Sequence, residues 1–404
     1  MGRKRTGRGR ARGERAEAKK ESFGRRLVKE APVIGGALLL TFIFSNAGLL
    51  RKFETTALDV TMRLRHRRSH TDVAVVRITD AVYEGHFGGR SPLDPAKLQE
   101  VIEAIARGGP RLIAVALDTS APAFREMPPP PAPPLGPPVV WARNGVYSNV
   151  RQRFRLSGVL GGREPMPPAG AILFMKDDDG VIRRYTRLCR TYEGADEKLV
   201  PTFPWEVVKQ LSDGRAKGLE ESDEELIVDF VGSDRVNMPA DEIMRQSHEE
   251  GYRTAGVLKN KIVILGGDYA AQDEHDTPAG WALGVEVLAQ MVETELEGGG
   301  TRPANAAVIL ILELLDGFIV LVLFRILGLG RALLVCAVTL PLLALLCSLT
   351  AFWSLAHWAY FVPILLLVFL HQVYERGKDY FRKLPDKVAG DLSGEGKEGP
   401  RVAN

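Results

Sequence analysis

Cysteine is scarce in this chain, three residues in 404. Cys189 lies in the central region, while Cys336 and Cys347 sit inside an apolar run, so no disulfide framework can staple the central part together. Net charge is also low, +3 at pH 7, and the one strongly basic cluster, Arg3 to Arg26, directly precedes an apolar run. That placement favours a membrane-orienting tail over a nucleic-acid arm. Catalytic signatures are missing as well: there is no Walker-type loop, no GxSxG, no HExxH and no nucleotide fingerprint, and Gly266 with Gly267 alone make no phosphate cradle. These absences argue against an enzyme, a hydrolase being the least expected reading, and no cofactor is expected.

What is present is distributed unevenly. Residues 1–30 carry twelve Lys and Arg against four acids and read as a basic cytoplasmic tail. Residues 31–50 (APVIGGALLLTFIFSNAGLL) carry no charge over the length needed to cross a hydrocarbon core as a helix. Three further apolar runs, 304–327, 332–352 and 357–373, are separated by short links and read as a compact bundle. A basic N-terminus on the inside places residues 51–303 outside the cytoplasm, and three more crossings return the polar tail 374–404 to the inside. Arg325 and Arg331 flank the inner link, as this orientation requires. A cleaved signal peptide is the competing reading of 31–50, with Ser45, Asn46 and Ala47 as a small-residue site; it leaves the central region on the same side.

Within 51–303, residues 72–80 (DVAVVRITD) have the β-branched run of a buried strand. Residues 94–107 have helical spacing with Pro95 just inside the start, and 111–118 (RLIAVALD) are a second strand. This strand, helix, strand order predicts a right-handed crossover between parallel strands. Residues 258–267 (LKNKIVILGG) predict another strand and 281–297 a helix. Between these halves, 169–175 and 181–189 read as strands joined by a hairpin at 176–180 (KDDDG). A short helix is expected at 204–211 and a strand at 225–232, about six strands in all. Residues 128–138 (PPPPAPPLGPP) predict a surface polyproline loop. The expected fold is an α/β extracytoplasmic domain with a mainly parallel sheet, plus four transmembrane helices.

Several stretches, taken in order, carry a family likeness: LDVTMRLR at 58–65, the strand ending in Asp80, the helix and strand ending in Asp118, the DDDG turn followed by Val181, Ile182 and Arg183, and LKNKIVILGG through His275, Asp276, Thr277 and Pro278 to Gly284, Val285 and Glu286. Over about residues 55–297, followed at once by three apolar runs, this order resembles the CHASE extracellular sensory domains of the second type, found in front of bacterial cyclases, kinases and histidine kinases. The resemblance implies a sensory input role. The chain departs from the pattern after Asp118, where the proline run replaces the usual loop, and in its last segment, since 374–404 is too short for a cyclase or kinase.

In an open parallel sheet, ligands sit beyond the carboxyl ends of the strands. Asp80, Asp118 and Asp268 fall at such ends, and Asp273, His275 and Asp276 follow in the next loop, so these six are the candidate ligand-binding residues, able to rim a site for a cation or a cationic small molecule. Aspartates at strand ends commonly cap a helix or close a turn, and capping is the preferred reading. A lone His among scattered acids is weak evidence for a transition metal, and no metal site is expected. Asp177 to Asp179 with Gly180 lack the ligand spacing of a calcium loop and read as a hairpin turn. Arg183 and Arg184 should face opposite sides by the period of a strand, with one available to the turn acids. In the second apolar run, Glu313 and Asp316 share a helical face. Intramembrane carboxylates of this kind mark a functional site or an ion pair; the alternatives are that the helix is shifted, or that both acids are protonated and hydrogen-bonded to Thr339 or Ser348.

The functional expectation is a receptor or sensory input subunit of the inner membrane, embedded in the lipid bilayer and homo-oligomeric. It would signal through a separate protein partner and bind no nucleic acid. The alternatives are an assembly subunit of a cell-envelope complex, and an ion-coupled subunit built on Glu313 and Asp316.

Overall fold

The computed structural model describes residues 51–64, 72–128, 136–148, 153–193, 196–211, 218–230, 234–249, 256–269 and 273–304, together with isolated positions elsewhere. The chain divides into two compact units, Ala57–Pro303 and a second that combines Met1–Thr56 with Ala304–Asn404.

Helix α1 (Arg51–Arg63) opens the described region and buries Leu58, Thr61 and Met62, spaced as one helical face requires. Strand β1 (Val73–Thr79) leads into the short helix α2 (Asp80–Gly85). Helix α3 (Pro95–Arg107) follows the sequence expectation closely, because its signals are local. The Asp94 side chain accepts from the amides of Ala96 and Lys97, proline occupies the first turn, and Leu98, Val101, Ile102 and Ile105 form the buried stripe. Strand β2 (Leu112–Ala116) comes next.

The chain then extends the sheet through β3 (Val139–Ser148), β4 (Arg153–Leu156) and β5 (Ala169–Ile172). A smaller layer contains β6 (Met175–Lys176), β7 (Ile182–Tyr185), β8 (Leu188–Glu193), β9 (Asp196–Pro201), helix α4 (Phe203–Lys209) and β10 (Leu226–Ile227). Strand β11 (Val236–Pro239), helix α5 (Ala240–Gln246) and strand β12 (Ile262–Asp268) return to the main sheet. The hairpin β13 (Glu274–Thr277) and β14 (Gly280–Leu283) then enters helix α6 (Gly284–Leu296).

The main sheet has the order β11-β1-β12-β2-β3-β4, with β5 also on β3. Pairings from β11 to β3, and β3 with β5, are parallel, and only β4 runs antiparallel. The fold is therefore α/β with a mainly parallel sheet. β1, β12 and β2 are covered on both faces, which explains why they read as continuous apolar runs instead of alternating ones. Gly266 in β12 lets α6 approach closely: a Cβ there would stand 2.6 Å from the Val285 side chain.

Several boundaries differ from those the sequence predicts, each because a partner segment intervenes. The 258–267 strand begins at Ile262, since a turn with Asn260 at φ 58° precedes it. The helix expected at 281–297 begins at Gly284, because residues 280–283 pair with β13. The 169–175 run splits, its first part joining β3 and its end forming the hairpin with β7. The 181–189 run also splits, because β8 pairs with β9. Among the described residues of the 225–232 strand, only Leu226–Ile227 is extended ladder. The strands outnumber the six expected, chiefly through short antiparallel pairs.

The tails 1–30 and 374–404, most of the proline run, and the apolar runs at 31–50, 304–327, 332–352 and 357–373 lie outside the described residues apart from isolated positions. Among the described residues no helix is long and apolar enough to cross a membrane. The isolated positions in 307–327 and 335–352 are helical, whereas His357–Trp358 is a two-residue strand where the sequence predicts a helix to begin. In that unit the Ala304 amide donates to the Trp358 carbonyl at 2.7 Å, and the Phe352 ring meets Trp358 edge-on at 5.8 Å.

Candidate functional site

The carboxyl edge of the main sheet gathers three of the six sequence candidates. Thr79 is in register with Asp268, and Ala116 with Gly266, so Asp80, Asp268 and Asp118 follow the ends of the neighbouring strands β1, β12 and β2. Their roles at that edge are mostly local. Asp80 begins α2, where its charge suits the helix dipole. The Asp118 carboxylate accepts from the Ser120 amide at 2.9 Å, closing a turn. Asp268 pairs with the Arg77 guanidinium across the β1–β12 ladder at 2.5 Å.

Two tyrosines that the sequence analysis did not single out complete this edge. Tyr83, on α2, and Tyr269, directly after β12, stack with ring centroids 4.4 Å apart and 5° between planes. Burial pushes the Tyr269 hydroxyl up from its ordinary pKa, and Tyr83 and Asp118 nearby add to the shift. The only sequence signal was position, each tyrosine lying one to three residues after a strand-end aspartate. The edge thus offers a flat aromatic face beside carboxylates, chemistry suited to an organic cation or a planar solute.

The other three candidates lie on or beside the β13–β14 hairpin. His275 Nε2 sits 3.1 Å from Asp273 Oδ1, and its ring tilts against Phe174 with centroids 4.4 Å apart. The Asp273 carbonyl accepts from the Gly284 amide at the start of α6, and its carboxylate fills the space that a Cβ on Gly284 would need. Asp276 is exposed and faces Trp281 across the hairpin, itself 60% exposed. Among the described residues there is no group of three or more His, Cys, Asp or Glu able to hold a metal ion. Glu313 and Asp316 lie outside the described residues.

The most heavily built polar feature among the described residues is centred on β7, which packs against the β13–β14 hairpin. Arg183, 2% exposed, meets Asp59 of α1 with Nε and Nη2 at 2.7 and 2.9 Å, and the turn carboxylates Asp177 and Asp179 at 3.0 and 2.8 Å. The DDDG segment is indeed a hairpin turn, and its acids clasp Arg183. Arg184 reaches Glu225 at 3.0 Å and lies 3.8 Å from Asp177. Hydrogen bonding to Arg183 holds the Asp179 carboxyl below its ordinary value. Arg187 forms a two-pronged pair with Glu295 of α6, at 2.9 and 3.0 Å, while stacking over the Trp205 ring at 4.8 Å, and the Tyr185 hydroxyl donates to the same carboxylate at 2.6 Å. A third buried pair joins Arg235 to Glu293 at 2.7 Å. The long separation of these partners in sequence hides the pairs from local pattern reading.

No curated protein and no solved structure matches the chain. The family model of the CHASE2 domain matches residues 36–329, well over half of the sequence. That match covers the parallel sheet, the DDDG hairpin and the helices on either side, and the chain belongs to the CHASE2 domain family of extracellular sensory domains.

Proposed function

We propose that the protein is a sensory input subunit of the inner membrane that detects a stimulus outside the cytoplasm and passes it to a separate partner protein. It has no catalytic role of its own in this reading. The carrying observation is the extent of the family match: it begins inside the first apolar run and ends just past the second, so the sensory domain and its apolar flanks belong to one inherited unit. Four membrane-spanning helices at 31–50, 304–327, 332–352 and 357–373 would then place both termini in the cytoplasm and residues 51–303 in the periplasm.

Two features support the membrane arrangement. Val308, Ile311, Leu315, Phe318 and Ile326 are exposed apolar side chains at helical spacing, a stripe suited to lipid tails. The hydrogen bond between Ala304 and Trp358, with Phe352 on Trp358, brings together the start of the second span, the end of the third and the start of the fourth, as an up-and-down bundle requires. The edge formed by Tyr83, Tyr269, Asp80, Asp118 and Asp268 is the proposed place for a ligand, and the helices α1 and α6 are the proposed route inward.

The test is purification of the full-length protein from membranes in mild detergent, with mass spectrometry of its companions. Stoichiometric recovery of a kinase, cyclase or regulator lacking its own sensor supports the reading. Recovery of envelope-assembly components alone overturns it in favour of a structural subunit.

A further inference from the structure

The segment 182–187 grips two different helices through alternate residues. Arg183 holds α1 by a two-pronged pair with Asp59, whereas Tyr185 and Arg187 hold the end of α6 through Glu295. In sequence, α1 follows the first apolar run directly, and α6 ends at Leu296, shortly before the second begins at residue 304. One strand therefore touches both helices that lead toward the apolar runs. The end of α6 is fastened to the same layer repeatedly: the Asp229 amide donates to Thr294, Gln290 donates to the Asp229 carbonyl, and the Gly300 amide donates to the Tyr185 hydroxyl.

The two grips are unequal. The Glu295 side chain is 0% exposed and Arg187 3%, and among the described residues Arg187 has no second carboxylate, its other hydrogen bond going to the Glu220 carbonyl, so parting them strands two buried charges. Asp59 is 20% exposed and Asp179 47%. If Asp59 leaves, water can solvate it, and Arg183 keeps Asp177 and Asp179. The Arg183 cluster thus has a built-in substitute for its α1 partner, which the Arg187 joint lacks. α1 is also held by its buried face, Leu58, Thr61 and Met62, and at its far end by the Arg63 guanidinium donating to the Pro278 carbonyl at 2.7 Å, at the tip of the hairpin that runs into α6.

We infer that the segment 182–187 is a coupling element with one fixed joint, on α6, and one releasable joint, on α1, so that α1 is the helix that moves when the domain changes state. The consequence for signalling rests on the receptor reading; the asymmetry itself is a property of the fold and holds or fails without a stimulus.

Amide hydrogen exchange on the full-length protein in detergent tests it through Asp59→Asn, Arg183→Lys and Glu295→Gln. Asp59→Asn should raise exchange in residues 57–63 by about tenfold or more, the scale of a lost charged hydrogen-bond pair, with residues 284–296 and the unfolding transition close to those of the unaltered protein. Arg183→Lys, which keeps the charge and loses the fork, should loosen the same residues. Glu295→Gln should instead raise exchange throughout the domain. The inference is overturned if Asp59→Asn leaves α1 exchange unchanged, or if it loosens α6 and the whole domain together. Recovery of envelope-assembly components alone would sink the receptor reading without touching this result.

Discussion

The parallel sheet and the layer around β7 solve burial in opposite ways. β1, β12 and β2 bury Val, Ile, Leu and Ala on both faces, and Val73 to Val76 and Ile262 to Leu265 have no exposed surface. The β7 layer buries Arg183 and Arg187, and α6 buries Glu293 and Glu295. Apolar burial is non-directional and tolerates small shifts. A buried ion pair contributes little net stability but permits only the geometry in which every charge is matched. The sheet is therefore the stable platform, and the charged layer fixes where the two flanking helices sit.

That contrast can be broken experimentally. The largest effect is expected for Arg187→Met, which leaves Glu295 buried without its partner and should cost about 3–5 kcal/mol in unfolding free energy. Adding Glu295→Leu should recover most of that loss in a double-mutant cycle, since an apolar pair replaces a stranded charge. Ile264→Ala, in the centre of β12, should cost about 2–5 kcal/mol, and its effect should add to that of the distant Arg187→Met within about 0.5 kcal/mol. Chemical denaturation of the four variants decides whether the two regions differ in kind.

Smaller effects sharpen the same comparison. Asp94→Ala removes the cap of α3 and should cost about 1 kcal/mol with no change in the β7 layer. Acid should act on the charged layer before the sheet. The pKa of Asp179 is lowered in the folded protein, so its contribution is present above the ordinary carboxylate value of about 4 and is lost as pH falls through the folded value. Asp179→Asn should flatten that part of the stability profile slightly, because the side chain is half solvated. Cys189 is buried, and burial pushes its thiol pKa up to about 11; alkylation at neutral pH should therefore be slow in the folded domain and fast after denaturation.

The sequence made some of this legible and hid the rest for identifiable reasons. β1, α3, β2 and most of β12 were readable because apolar runs and the Asp94–Pro95 cap are local signals. The hairpin at Asp177–Gly180 was readable from turn chemistry, and so was an arginine just after it within reach of the turn acids. Three features were not. The insertion of β12 between β1 and β2 is a choice of neighbour, which composition does not encode. The partner of Arg183 on α1 lies 124 residues away, and that of Arg187 on α6 lies 108 away, so no window of periodicity includes both. Of the six candidate residues, Asp80, Asp118 and Asp268 share the sheet edge as the strand-end rule implies, whereas Asp273, His275 and Asp276 belong to a separate hairpin.

The position of β1 has a consequence for how the chain is made. Both of its neighbours, β11 and β12, come from residues beyond 235, so the first strand to emerge waits for nearly the whole domain before its ladder can form. Until then, an apolar strand with two open edges is presented to whatever chain lies nearby. A nascent polypeptide halted anywhere between residues 80 and 235 therefore carries this apolar strand unshielded, and the burden of keeping it apart falls on the chaperones that meet it during synthesis.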